Sequence, residues 1–218
     1  MKLQYLGHAC FSCESESGTT VLLDPYRSGA LGGKITHKAV TLLADIVAIT
    51  HYHEDHGWFG GLPGNPVIVD APGEVHGIEF RSVVTPHDSC GGSHMGLSRM
   101  IAFTLDGVTV LHTGDIGRLP TSHELQQLGP IDLLLLPVGG RYTVSIEDAV
   151  QLHKQLAPRW TVPMHYRTQK VDLEMAPREQ FVAAMANEMV VAAKSSELSC
   201  DAAACNGSPQ IILLDPAL

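Results

Sequence analysis

The six residues His51 to His56, HYHEDH, hold three histidines and two acids, directly after the apolar run DIVAI and Thr50. Neutral imidazoles and carboxylates are donors suited to Zn²⁺, and they also serve Mn²⁺ or Fe²⁺. His51 and His53 stand two apart, so in an extended segment their rings share one side. Asp55 and His56 come next, and Gly57 permits a sharp turn with close backbone approach. One hexapeptide cannot surround an ion. Further donors stand at His87 in TPHDS, Asp115 in LHTGD and His165 in PMHY, each after an apolar run that reads as a strand. Strand ends along one sheet edge can face a common cleft, and this repeated placement points to a metal centre rather than a solvated His-rich loop.

The elements that must position these groups are short. KLQYL, ACFSCE and TTVLLD read as strands, with SESG as a turn. The Gly-rich SGALGGK leads into an expected short helix near HKAVTLLA, then the strand DIVAIT. NPVIVDA and IEFRSVVTP follow, and RMIAFTL and VTVLHT flank Asp106-Gly107, a two-residue hairpin signal of type I′. TSHELQQLG begins with capping residues and ends in Gly, as a helix does. IDLLLLPVGG suits a strand buried on both faces. In SIEDAVQLHKQLA, Ser145 can cap a helix whose apolar stripe is Ile146, Ala149, Val150 and Leu156. RWTVPMHY reads as a strand, and PREQFVAAMANEMVVAA as a helix with Pro177 in its first turn and methionines filling the core. Without a linker or a shift in composition, residues 1–218 read as one layered α/β domain, sheets inside and helices outside.

At 218 residues and 44% hydrophobic content, the chain can bury a sizeable core. Its net charge is −9, with Lys and Arg totalling 14, which argues against a groove for long nucleic acids. No stretch resembles a secretory signal or a membrane span, so a cytoplasmic protein without a membrane partner is expected. The five cysteines, Cys10, Cys13, Cys90, Cys200 and Cys205, read as free thiols. A four-thiolate zinc site would need the chain ends to meet, and Cys10 and Cys13 should point to opposite faces of a strand. Ser89 and Cys90 beside His87 do not make a triad by adjacency alone. His37, His76, His123 and His153 are expected at the surface and His112 packed behind the site, while His8 either approaches the site or, the preferred reading, hydrogen-bonds within the core.

HYHEDH also fits the H-x-H-x-D-H signature of the metallo-β-lactamase superfamily, and HTGD looks like its later Gly-Asp motif. LGHACF, LLDP around Asp24, PIDLLLLPVGG and PMHY extend the resemblance over nearly the whole chain. The fuller pattern is similar to the small metal-dependent hydrolases of the L-ascorbate-6-phosphate lactonase-like branch. The resemblance implies an α/β fold, a four-layer αββα sandwich, and a dinuclear site. His51, His53 and His87 would hold one divalent metal ion, and Asp55, His56 and His165 the other, with Asp115 bridging. The chain departs from some relatives. His53 stands where the diiron flavoproteins carry Glu, residues 57–86 hold no inserted domain of the kind seen in RNA-cleaving relatives, and TPHDSCGG replaces a PGHTPG-like segment, leaving His94 as the fallback for His87.

The chemistry so implied is hydrolysis. Two metals would lower the pKa of a bridging water, and the resulting hydroxide would attack a small ester, lactone or phosphate-containing metabolite. Asp55 would orient the nucleophile and accept its proton besides ligating metal. Asp24, Thr113 and His112 would support the ligands from behind. Arg141, Tyr142, Tyr166 and Arg167 would reach the substrate. Two alternatives stand beside this: a phosphodiesterase or nuclease of the same fold, and a non-catalytic metal-binding regulatory module. A homo-oligomer is compatible with the sequence.

Overall fold

The computed structural model describes residues 1–218 as two β-sheets packed face to face. The first is built from β1 (Lys2–Gly7), β2 (Cys10–Glu14), β3 (Thr20–Leu23), β4 (Ile46–Ala48), β5 (Val67–Val69) and β13 (Glu197–Ser199), in the order β13-β1-β2-β3-β4-β5. The second holds β6 (Gly73–Val75), β7 (Ile78–Pro86), β8 (Leu97–Leu105), β9 (Val108–His112), β10 (Leu133–Pro137), β11 (Trp160–Met164), β12 (Met189–Ala192) and β14 (Gln210–Leu213). Its order is β12-β14-β11-β10-β9-β8-β7-β6.

Period-two alternation sorts the side chains. Leu3, Tyr5, Phe11, Cys13, Val21, Leu23, Ile46 and Ala48 face the core shared with the second sheet, whereas Leu6, Cys10, Leu22 and Val47 enter a smaller core on the outer side. Cys10 and Cys13 therefore lie on opposite faces, which excludes a zinc site that uses both. The hairpin at Asp106-Gly107 forms as read, with both residues at positive φ (51° and 75°) between paired Leu105 and Val108.

The outer face of the eight-stranded sheet is helical. There, α2 (Ser122–Leu128) packs on β7, and α3 (Ile146–Leu156) on β10 and on α4 (Arg178–Ala184). The Thr121–Glu124 capping box starts α2, and Ser145 Oγ accepts from Asp148 N to start α3. The outer face of the six-stranded sheet is covered differently, by α1 (Ala30–Gly33), a single turn with Leu31 and Gly32 left-handed, and by irregular chain. The short helix expected near residues 37–44 does not form. Side chains from elsewhere satisfy its backbone instead: Ser28 Oγ donates to His37 O and Tyr26 OH to Lys38 O, while Val40 and Ala44 enter the outer core. The long helix expected after Pro177 stops at Ala184. Met189–Ala192 instead pairs in parallel with Gln210–Leu213, as the β-branched Val190 and Val191 favour. No helix is long and apolar enough to cross a membrane.

β1, β3 and β4 run one way in the first sheet, and β7, β9, β10 and β11 run one way in the second. The carboxyl ends of these strands meet at one rim of the sandwich, the end of open α/β sheets where ligands commonly bind.

Candidate metal centre

Each rim strand delivers its groups in the residues just past its end. β1 is followed by His8, β3 by Asp24, and β4 by His51, His53, Asp55 and His56. On the facing sheet β7 is followed by His87, β9 by Asp115 and β11 by His165. His8, Asp24 and His165 all take positive φ (56°, 42° and 51°). Such backbone costs about 1–3 kcal/mol per residue and persists only where the surroundings enforce it. Two glycines permit close approach. A Cβ on Gly57 would sit 2.8 Å from Tyr52 Cα and 2.9 Å from His51 O, and one on Gly114 would meet Thr50 Cβ at 2.8 Å.

The structure brings all seven sequence-predicted ligands into one cluster. Asp115 Oδ2 is its junction, with the Nε2 atoms of His56, His87 and His165 at 3.3, 3.3 and 3.1 Å. His51 Nε2 faces His53 Nδ1 at 3.1 Å, and the ring centroids of His51 and His53 lie 4.8 and 5.1 Å from that of His87. Asp55 Oδ2 is 3.7 Å from His56 Nε2. All are buried except His53, which is partly exposed. The donor atoms of His51, His53 and His87 lie within 4.8 Å of one another, as do those of His8, Asp55, His56 and His165. His94, the fallback, is exposed.

Behind these groups lies a hydrogen-bonded brace. Asp24 accepts from Thr50 N (2.8 Å), Thr50 Oγ1 (2.6 Å) and His56 Nδ1 (2.8 Å), and Thr50 Oγ1 is 3.0 Å from His51 Nδ1. Both imidazoles thereby turn Nε2 toward the cluster. His112 donates from Nε2 to Ala9 O at 2.8 Å and accepts from Gly114 N at 3.0 Å, fixing the turns that carry His8 and Asp115. Thr113 corrects the sequence reading: its hydroxyl faces Leu135 O and Gly114 O and touches no imidazole, because it points back along the neighbouring strand. Thr50 fills the role instead.

Charge in the cluster is tightly coupled. Burial opposes ionisation of Asp115, yet His165 and His56 outweigh it and hold the carboxyl well below the usual range. Asp55 is likewise depressed against its burial, by His56 and His8. Burial, aided by His56, pushes His51 down to about 3, and burial with His87 lowers His53, so both rings are neutral, as ligation requires. His56 is raised despite burial because Asp115 and Asp55 flank it. His56 Nε2 and Asp115 Oδ1 are buried without any hydrogen-bond partner. A converging set of imidazoles and carboxylates with such orphaned atoms fits a divalent cation, which would satisfy both.

A 240 Å³ cavity opens on the cluster, lined by His53, Asp55, His87, Asp115 and His165 and walled by Leu31, Lys34, Met95, Tyr142 and Leu173. Of the four substrate candidates, only Tyr142 lines it. Arg141 is exposed and lies 3.7 Å from Glu174. Tyr166 is buried, its hydroxyl accepting from Arg178, and with Arg167 it borders a separate groove beside Asp215. A place in the chain next to a ligand did not predict which way these side chains point. Ser89 and Cys90 are exposed, and neither bonds His87.

Sequence reasoning missed several residues. Lys34 reaches the cavity from the Gly-rich segment and makes no ion pair. For His8 the less favoured of its two readings holds, for its Nε2 donates to Asp55 Oδ2 at 3.0 Å. Its presence in LGHACF, at the end of a strand beside a glycine, was the available signal. His37 and His153, expected at the surface, are buried, with Nδ1 of each bonded to Leu218 O and Thr161 Oγ1 respectively. His76 and His123 are exposed as expected.

Comparison with known proteins agrees with this architecture. The family described as "Beta-lactamase superfamily domain" matches residues 2–165. A UPF0173 metal-dependent hydrolase of Thermococcus onnurineus is 32% identical over 197 residues, covering 77% of this chain and 85% of its own. Another, from Thermoplasma volcanium, is 30% identical and covers 90% and 97%. Among solved structures, a protein of Thermotoga maritima described as a Zn-dependent hydrolase of the metallo-β-lactamase superfamily shares 27% identity, with a TM-score of 0.77 over 98% of both chains. Igni18, a metallo hydrolase of Ignicoccus hospitalis, shares the fold at 22% identity and a TM-score of 0.64, covering 99% and 95%. The chain belongs to the metallo-β-lactamase superfamily. Within it, the chain is a metal-dependent hydrolase.

Proposed function

We propose that residues 1–218 act as one hydrolase domain using two divalent ions, Zn²⁺ foremost and Mn²⁺ or Fe²⁺ as alternatives, on a small ester, lactone or phosphate-containing metabolite. The observation that carries this is the convergence of three imidazole nitrogens on one carboxylate oxygen of Asp115, flanked by the His51–His53 pair on one side and Asp55 on the other. His51, His53 and His87 would hold one ion and Asp55, His56 and His165 the other, with Asp115 available to both. Bound divalent metal supplies Lewis acidity and lowers the pKa of water toward neutrality.

The remaining work belongs to side chains. Asp55 lines the cavity and is held ionised, the form that can orient a nucleophilic water; the proposal also gives it that water's proton. Asp24, through His56 and Thr50, keeps the ligating nitrogens aimed. Leu31, Met95, Leu173 and Tyr142 give the cavity a largely apolar wall, which strengthens electrostatic contacts beside it. Lys34, the one Lys or Arg among the lining residues, is suited to a carboxylate or phosphate on the substrate. The cavity lies below the 300–1,000 Å³ typical of drug-sized ligands, which favours a small metabolite and disfavours long nucleic acids. The reading includes a cytoplasmic setting.

The test is a panel of small chromogenic esters, lactones and phosphodiesters, assayed before and after chelation and again on metal return. Hydrolysis that disappears with chelation and recovers with metal supports the proposal. Metal uptake without turnover on any of the panel would favour a regulatory module, and turnover confined to phosphodiesters would favour the phosphodiesterase.

A further inference from the structure

His8 lies outside the proposed ligand set, yet it is only 1% exposed and sits inside the cluster. Its ring centroid is 4.4 Å from that of His165 and 5.4 Å from that of His56. The ring makes a single polar contact, Nε2 to Asp55 Oδ2 at 3.0 Å, and its Nδ1 has no partner. Burying an imidazole for one hydrogen bond is costly where an apolar side chain would fill the space, so the contact to Asp55 must account for it.

The backbone of His8 is equally constrained. At φ 56° it adopts the left-handed conformation that non-glycine residues avoid. Its carbonyl accepts from Tyr5 OH at 3.0 Å and from His165 N at 2.9 Å. One residue just past β1 thus touches Asp55 with its ring and, with its carbonyl, the backbone N–H of His165 just past β11. Asp55 and His165 are two of the three residues assigned to the second ion alone.

We propose that His8 is a positioning residue for that second ion: by donating from Nε2 to Asp55 Oδ2 it locks the carboxylate's orientation and leaves Oδ1 as the free oxygen at the cavity. This rests on the two-ion reading above. The ring acts through Asp55 and is not itself a ligand. The carbonyl ties survive any side-chain change, so the side-chain contribution can be tested separately.

The experiment compares the parent with His8→Ala and His8→Gln, whose amide can place an N–H donor near the position of the imidazole Nε2. Zn²⁺ is titrated into each by calorimetry, and visible spectra of the Co²⁺-loaded proteins are recorded, with thermal melts of the metal-free forms as a folding control. The expected result is that His8→Ala weakens one of two uptake steps by roughly 10–100-fold and alters the cobalt bands, while the other step is unchanged. His8→Gln should restore most of that affinity. Parent-like uptake and spectra in His8→Ala would overturn the proposal. So would equal loss in both variants with unchanged melts, which would make the ring a ligand. A parent that takes up only one ion would remove the two-ion reading and this inference with it, so the two failures are distinguishable.

Discussion

On the rim of the six-stranded sheet, His51 and His56 have their far nitrogens engaged, Nδ1 of the one by Thr50 and of the other by Asp24, and Asp55 is held by His8. On the facing rim of the eight-stranded sheet, His87 and His165 leave Nδ1 buried without a partner, and their Nε2 atoms turn to Asp115. The first half-site is therefore oriented by the protein. The second is oriented chiefly by a carboxylate that the first half also uses. A cluster built this way keeps a rigid template on one sheet and closes it with groups whose main tie is the charge at the centre.

That contrast makes Asp115 the most sensitive position. Asp115→Asn should abolish uptake of both ions, exceeding the roughly 100-fold that supporting residues usually contribute, with near-total loss of hydrolysis. Metal titration followed by a turnover assay checks it. If only one ion were lost, Asp115 would serve that ion alone and would not join the two. Asp24→Asn attacks the brace of the first half-site. It should cost roughly 10–100-fold in metal affinity and about 1–3 kcal/mol of stability, since His56 Nδ1 loses its carboxylate partner. An unchanged affinity, with a lowered melting temperature, would show that the brace serves folding only.

The pH dependence sharpens the comparison further. Burial disfavours charged His56 and His87, yet Asp115, with Asp55 at His56, outweighs it and raises both, so without metal these rings hold protons more readily than free imidazole although they must be neutral to ligate. Metal binding would have to displace protons from these rings. Affinity should accordingly fall as pH falls through their raised range, and calorimetry in buffers of different ionisation enthalpy reads the proton count directly. The smallest effect is expected at a helix cap that bonds none of the proposed ligands. Thr121→Ala removes the cap of α2 and should cost about 1 kcal/mol in a thermal melt, with metal uptake unaltered.

The first half-site was legible because it is contiguous: HYHEDH states its chemistry within six residues. Asp115 and His165 could be read because each follows a run of buried residues that can only be an inner strand. The αββα class came from the family resemblance, and the helical layer from capping residues that the structure uses as written. Other features depend on packing that no local pattern reports. Lys34 and Leu31 reach the cavity because one left-handed turn folds over the six-stranded sheet, and Arg141 and Arg167 fail to reach it because their loops turn outward. Met189–Ala192 looked helical by composition, and its strand is decided by β14, nearly twenty residues further on. His8 read as core because a buried imidazole and a working one look alike until the partner, Asp55, is seen across 47 positions of chain.

The central claim is a two-ion centre joined at Asp115, and metal content tests it most directly. The protein is purified without added metal and measured by elemental mass spectrometry, alongside His51→Ala and His165→Ala. The account predicts close to two ions per chain in the parent and partial loss in each variant. No metal in the parent, even after reloading with Zn²⁺ or Mn²⁺, would contradict it.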